Sequence, residues 1–180
     1  MITVEYLELA GVCLLTGVAF RDERGSFREL WNQERARRSG LDWTFVQDNV
    51  AFSRQRVLRG LHFQEPQPQG KLVTAVQGTI YDVAVDIRRA SATFGKWVAA
   101  TLSADQADAL YIPPGFAHGY QVLSETAVVV YKCTDFYRPD HEHSLAWNDP
   151  ILAIAWPLAD PIVSAKDAAA PSLEQVVPTG

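Results

Sequence analysis

The sequence predicts an all-β protein, a double-sheet jelly roll with a few short helices. Short runs rich in Val, Ile, Thr, Tyr and Phe recur at close intervals, and turn residues interrupt them almost everywhere. One run alternates cleanly: from Ile80 to Arg88, Tyr81, Val83, Val85 and Ile87 share one face while Asp82, Asp86 and Arg88 share the other with Ala84. Period-two alternation puts one face in a core and the other toward solvent or a polar cavity. Long helical periodicity is lacking, which excludes βαβ classes, and a jelly roll or barrel is the natural way to hide so many strand edges.

In chain order, strands are expected at Val12 to Val18 and Phe27 to Leu30. A short helix follows at Gln33 to Ser39, with Asn32 as N-cap and Gly40 as stop. Further strands are expected at Phe45 to Ser53, at Val57 to Gln64 and at Lys71 to Gln77. Gln77-Gly78-Thr79 reads as the turn of a hairpin into the Ile80 strand. Trp97 to Leu102 is a strand, and Ser103-x-x-Gln106 has the form of a capping box opening a helix over Ala104 to Ala109. Gly119 to Leu123 and Ala127 to Thr134 complete the strands. The Ala- and Pro-rich stretch from Ala168 to Gly180 is expected to lie over the surface or against a neighbouring subunit.

At 180 residues and 48% hydrophobic content, the chain is the size of one domain, spanning 1–180. A net charge of −5 supplies no basic field for a nucleic-acid backbone, so nucleic acid is not expected as a partner. No window approaches the apolar run of about 18 residues that a membrane span requires, and the N-terminus lacks a secretory pattern. Cys13 and Cys133 sit in apolar, strand-like surroundings without ligand spacing and read as buried free thiols. A cytoplasmic protein with no membrane partner is expected.

Val57-Leu-Arg-Gly-Leu-His-Phe-Gln places Arg59 and His62 three residues apart in an apolar stretch. If this strand lines a pocket, the arginine can grip an anion and a neutral imidazole can take a proton. The alternative is a surface arginine and a satisfied core histidine. Pro113-Pro-Gly-Phe-Ala-His118 has the form of the second cupin motif, which supplies one histidine ligand. The first cupin motif needs His-x-His with a nearby glutamate, and here the place reads His62-Phe63-Gln64. His141 and His143 fall in a polar loop, so no transition-metal centre is expected. Acid–base candidates are then His62 as base, Tyr131 as acid and Lys71 as a cation facing developing negative charge. Tyr131 also reads as a core aromatic, and Lys71 as a solvated lysine at a strand start.

A series of segments resembles one family: Phe20-Arg-Asp-Glu-Arg-Gly-Ser-Phe-Arg-Glu-Leu-Trp, Phe45-Val-Gln-Asp-Asn, Val57 to Gln64, Gly70-Lys-Leu-Val, Asp82-Val-Ala-Val-Asp-Ile-Arg, Thr93-Phe-Gly-Lys-Trp, Ile112-Pro-Pro-Gly-Phe-Ala-His-Gly, Tyr131-Lys, Trp147-Asn-Asp-Pro and Ser164-Ala-Lys-Asp. In this order they resemble the dTDP-4-dehydrorhamnose 3,5-epimerases, metal-free members of the cupin superfamily. The resemblance implies epimerisation of a dTDP-4-keto-6-deoxy-hexose at carbons 3 and 5 through an enolate, without a cofactor. It casts His62 as the proton acceptor, oriented by Asp167, Tyr131 as the donor and Lys71 as the residue near the keto oxygen.

The same resemblance assigns Arg24, Phe27, Glu29, Gln47, Asp48, Asn49, Arg59, His118, Tyr137, Glu142 and Lys166 to substrate binding. Arg59 and Lys166 suit a diphosphate by charge and geometry. In such proteins a strand and its Arg24 to Glu29 turn reach the neighbouring subunit's site, which implies a homodimer with strand exchange at the active site. The Gln64 to Lys71 loop is one residue shorter than the family spacing. Relatives acting at carbon 3 or carbon 5 alone use nearly the same residues, so the motifs leave the regiochemistry open.

Overall fold

Alternation along the strands becomes two facing antiparallel sheets in the computed structural model, which describes residues 2–176. The chain runs through β1 (Thr3–Tyr6), β2 (Cys13–Thr16), β3 (Ala19–Asp22), β4 (Gly25–Arg28), α1 (Gln33–Arg38), β5 (Gln47–Arg54), β6 (Leu58–Gln64), β7 (Lys71–Gln77) and β8 (Thr79–Asp86). It continues with β9 (Trp97–Ser103), β10 (Asp108–Ile112), β11 (Phe116–Val122), β12 (Thr126–Cys133), a 3-10 turn at Pro139–His141, β13 (Glu142–Ser144), α2 (Ala165–Ala168) and α3 (Leu173–Val176). One sheet has six strands in the order β1-β2-β10-β7-β12-β5; the facing sheet has five, β13-β6-β11-β8-β9. The β3–β4 hairpin stands apart.

Three apolar layers follow from the alternation. Between the sheets, Val12, Val73, Ala75, Leu110 and Val129 of the larger sheet and its flank meet Ile80, Ala84, Leu102, Phe116 and Val122 of the smaller. The outer face of the smaller sheet, with Leu61, Val83, Val85 and Ala117, is covered by the C-terminal segment through Leu145, Leu152 and Leu173. The outer face of the larger sheet, with Leu15, Leu72 and Tyr111, lies under Ala36 and Leu41 and the ring of Trp43, which stacks on Tyr111 at 3.5 Å between centroids. The β8 strand is therefore buried on both faces, and its inward carboxylates Asp82 and Asp86 are fully enclosed.

The α1 expectation holds to within a residue: Asn32 Oδ1 accepts from Arg35 N at 3.0 Å, and Gly40 stops the helix with φ of +80°. The helix expected over Ala104 to Ala109 does not form. Ser103 Oγ accepts from Asp105 N rather than capping Gln106, Ala107 takes φ of +57°, and the chain turns between sheets into β10. Pairing of β10 with β2 and β7 outweighs a local capping preference. Gln77-Gly78-Thr79 is likewise no hairpin turn, because β7 and β8 belong to different sheets. At Gly78, with φ of +74°, a Cβ would lie 2.1 Å from the Thr126 carbonyl oxygen. Of the expected surface tail, residues 168–176 pack Leu173 into the molecule's own outer layer, and residues 177–180 lie outside the described residues.

Asp86 anchors the start of the β8–β9 connection. Its carboxylate accepts from Arg88 N and Nε, Arg88 Nη2, and the hydroxyls of Ser91 and Thr93 at 2.6–3.0 Å. Burial alone would raise its pKa, but these donors outweigh burial and hold the carboxyl well below the usual range. A depressed folded-state pKa gives stability that is present above the unfolded value of about 3.9 and lost as pH falls. Asp86→Ala should cost about 3 kcal/mol in denaturant melts at pH 7, because it removes the carboxylate to which Arg88 and the Ser91 and Thr93 hydroxyls donate. The gap between variant and wild type should narrow as the melts are repeated below about pH 4.

Candidate active site

In a regular strand, a spacing of three puts two side chains on opposite faces. Arg59 and His62 nevertheless both line one cavity. The cause is a register slip between β6 and β11: His118 pairs with His62 and Tyr120 with Arg59, so two steps on β11 span three on β6. The extra residue falls at Gly60, which takes φ of +130° and where a Cβ would lie 2.5 Å from Gly119 Cα. Only glycine fits that approach. Beyond the bulge, Leu61 and Phe63 point to the outer apolar layer, while His62 and Gln64 point inward.

The cavity, of about 420 Å³, opens between the two sheets and is lined by Gln47, Asn49, Arg59, His62, Gln64, Gln69, Lys71, His118, Tyr120, Tyr131, Cys133, Tyr137 and Glu142, with β5 backbone at its side. Asp167 reaches it from a distant part of the chain. Ile162 bridges β6 in parallel beside Val57, with Leu58 N donating to Ile162 O at 2.9 Å. The four-residue α2 is then capped by Ser164, whose Oγ accepts from Asp167 N at 3.0 Å. Asp167 Oδ1 lies 2.6 Å from His62 Nε2, and Oδ2 accepts from Gly60 N at 3.4 Å. The carboxylate therefore fixes the ring through one nitrogen and leaves Nδ1 for the cavity.

A second pair stands beside the first. His118 Nε2 is 2.7 Å from Asp82 Oδ1, with Asp82 fully buried on β8. At the rim, Tyr137 Oη donates to Glu142 Oε2 at 2.9 Å and Lys166 Nζ to the same oxygen at 2.5 Å. Gln47 and Asn49 join through a 2.9 Å hydrogen bond, and Gln47 Oε1 accepts from Tyr137 N at 2.8 Å.

Burial sets the protonation states. It lowers the His62 pKa below 6.5 despite the hydrogen bond and charge of Asp167, which raise it. Burial also lowers Lys71, against the pull of Asp82 and Glu142, and raises Tyr131. Burial would raise Glu142, but Lys166 and Tyr137 outweigh it and hold its carboxyl down. At neutral pH the cavity thus holds a neutral imidazole and a protonated phenol, one able to take a proton and the other to give one.

Of the residues singled out by sequence, His62, Lys71, Tyr131, Asp167, Gln47, Asn49, Arg59, His118, Tyr137 and Glu142 converge here, with Lys166 joined through Glu142. Arg24, Phe27, Glu29 and Asp48 do not. Arg24 pairs with Asp22 at the tip of the exposed β3–β4 hairpin, Glu29 pairs with Arg35 and Asn32 beyond it, and Asp48 pairs with Lys132 on the outer face of β5. Asp82, Gln69, Tyr120 and Cys133 were not singled out as site residues. For Asp82 the signal was present, as a carboxylate on the inward face of a strand. Gln64, at the place where the first cupin motif has its second histidine, instead ties loops together through Gln67 O, Phe136 O and Arg138 N. No three His, Cys, Asp or Glu side chains among the described residues form a metal-ligand group.

Fold and site together define a cupin-type jelly roll with a histidine-centred acid–base cavity. The chain belongs to the dTDP-4-dehydrorhamnose 3,5-epimerase family, whose sequence profile matches residues 6–175. It is 48% identical over 182 residues to the dTDP-4-dehydrorhamnose 3,5-epimerase of Salmonella typhimurium, covering 99% of this chain and 100% of the relative. To the Neisseria gonorrhoeae enzyme of the same name it is 51% identical over 162 residues, covering 89% of this chain but 49% of that relative, so the chain spans about half its length. A crystal structure of dTDP-6-deoxy-D-glucose-3,5-epimerase from Legionella pneumophila, in complex with dTDP-4-keto-L-rhamnose, superposes with a TM-score of 0.93 at 44% identity, covering 98% of this chain and 95% of that one.

In ¹⁵N-histidine NMR titrations, His62 should titrate below 6.5, in the direction set by burial. Asp167→Asn removes the charge that opposes burial, so the midpoint should move lower still. An upward or absent movement would show that the carboxylate does not govern the imidazole.

Proposed function

We propose that this chain epimerises a dTDP-4-keto-6-deoxy-hexose at carbons 3 and 5, taking dTDP-4-dehydro-6-deoxyglucose to dTDP-4-dehydrorhamnose. The reading rests above all on the convergence of the His62–Asp167 pair, Tyr131, Lys71 and Arg59 around one cavity. The 4-ketone acidifies the protons on both neighbouring carbons. His62 Nδ1 takes one such proton, the electron pair of the broken C–H bond moves into the enolate, and the Lys71 ammonium stabilises the oxyanion. Tyr131 then returns a proton to the opposite face, which inverts the centre. Asp167 holds the His62 ring and stabilises its charged form. As the new C–H bond forms, the enolate electron pair returns to carbon and the ketone is restored. The His62 imidazolium then releases its proton to water and the Tyr131 phenolate regains one from water. Each inversion therefore leaves no net change in protons or electrons, and no cofactor is invoked.

Arg59 and Lys166 carry the positive charge for the diphosphate, and Gln47, Asn49, His118, Tyr137 and Glu142 complete the sugar and phosphate contacts. A homodimer is part of the proposal, with Arg24, Phe27, Glu29 and Asp48 serving the site of the partner subunit. The exposed apolar side chains Phe20, Phe27, Val50 and Phe52, at 61–71% exposure on the β3–β4 hairpin and β5, support such an interface. Buried free thiols at Cys13 and Cys133 suit a reducing cytoplasm.

Incubation with the 4-keto-6-deoxyglucose nucleotide in deuterated water tests the reading. Deuterium should appear at both carbons 3 and 5; label at one carbon alone would make the enzyme a monoepimerase. His62→Ala should lower kcat by at least about 10³-fold, and Tyr131→Phe by about 10²-fold. Wild-type turnover in His62→Ala would remove the imidazole from the mechanism. Sedimentation should give twice the chain mass, and a monomer that is fully active would overturn the shared site.

A further inference from the structure

Ser53 is a polar residue of β5, 4% exposed, on the inward face with Gln47 and Asn49. Its Oγ accepts from Arg59 Nε at 3.0 Å, and the carbonyl of the preceding Phe52 accepts from Arg59 Nη2 at 3.4 Å. Two adjacent β5 groups, belonging to the six-stranded sheet, therefore hold the guanidinium of a residue on the five-stranded sheet. They engage one edge of the fork and leave Nη1 uncommitted among the described residues.

Tyr120 stands opposite Arg59 in the β6–β11 register. The Tyr120 hydroxyl is buried and has no hydrogen-bond partner among the described residues. Burial pushes its pKa up to about 12, against the opposing effects of the Arg59 charge and the Ser53 hydroxyl. Ser53 thus holds the cation directly, while the Tyr120 phenol offers that cation no bond of its own among the described residues. A long side chain immobilised before its ligand arrives loses little further freedom on binding, and the planar fork of arginine makes such immobilisation directional.

We propose that Ser53 is a positioning residue, holding Arg59 so that its free edge meets a phosphate oxygen of the nucleotide sugar. This rests on the function proposed above. It assigns Ser53 an effect on diphosphate binding and none on proton transfer.

The test is a double-mutant cycle read by dTDP calorimetry together with KM and kcat on the 4-keto sugar nucleotide. Ser53→Ala should weaken dTDP binding and raise KM by about 10-fold while kcat changes by less than about 2-fold. Ser53→Thr, which keeps the hydroxyl, should restore both. In an Arg59→Ala background, Ser53→Ala should have no further effect, because the residue it positions is gone. If Ser53→Ala does not fold, Ser53→Cys, close in size with a weak acceptor, carries the same readouts. Unchanged dTDP affinity and KM, or an equal loss without Arg59, would overturn the assignment. A wild-type chain that does not bind dTDP would instead overturn the proposed function and this inference with it.

Discussion

The site depends on one backbone irregularity, the extra residue in β6 at Gly60. A regular strand could present either Arg59 or His62 to the space between the sheets, not both. The bulge resets the alternation, and it does so where β6 and β11 approach so closely that a Cβ at Gly119 would lie 2.8 Å from the Arg59 carbonyl oxygen. The same closeness lets His62 and His118 stand as direct cross-strand partners. Each histidine takes its carboxylate from a different side: Asp82 from the neighbouring β8, Asp167 from a segment docked on the far edge of β6 by the Ile162 bridge. Bulges at such positions re-aim side chains, and here the consequence is a cavity with an anion-binding end and a proton-handling end.

Placing these groups between two sheets gives them their chemistry. A solvated imidazole with a carboxylate partner would have a raised pKa and would carry a proton at neutral pH more often than the free side chain. Burial reverses that for His62 without removing the carboxylate, so the ring stays neutral yet gains a stabilising charge once it accepts a proton. Tyr131 moves the opposite way for the same reason, remaining a phenol with a proton to give. Lys71 feels a similar conflict, because desolvation opposes its charge while Cys133, Asp82 and Glu142 support it. A negative oxygen arriving beside it would relieve that conflict, and so the attraction grows as charge develops on the ligand.

Much of the sheet framework was legible in the sequence because alternation reports burial directly. The Lys71 to Gln77 strand was expected with the bounds it has, and Ile80 to Arg88 and Ala127 to Thr134 within two residues. Local signals failed where tertiary pairing overrode them: the capping pattern at Ser103 became a turn because β10 is held by two neighbours, and the Gly78 turn joins sheets rather than strands of one sheet. The Arg59 and His62 pair was visible but ambiguous, since nothing in the composition of Val57 to Gln64 announces a bulge beyond the single Gly60. Asp167 lay beyond reach of any local reading; 105 positions separate it from His62, and only the family resemblance joined them. Ser53 and Tyr120 carried no signal, because each is an ordinary residue on an alternating strand.

Arg24, Phe27, Glu29 and Asp48 all stand outside the cavity of the single chain. Arg24, Phe27 and Glu29 lie on the β3–β4 hairpin or just beyond it, whereas Asp48 lies on the outer face of β5, the edge strand of the larger sheet, where Val50 and Phe52 are exposed. Exposed apolar edges of this kind invite association, which natural sheets otherwise guard against. The proposed dimer gives the hairpin, the edge and the open side of the cavity a common purpose. It also has an electrostatic consequence. Covering the β5 side would remove water from the cavity rim and deepen the desolvation already acting on His62, Lys71 and Tyr131. Assembly would therefore push each group further along the direction that one chain has set, coupling the proton chemistry to the association of two copies.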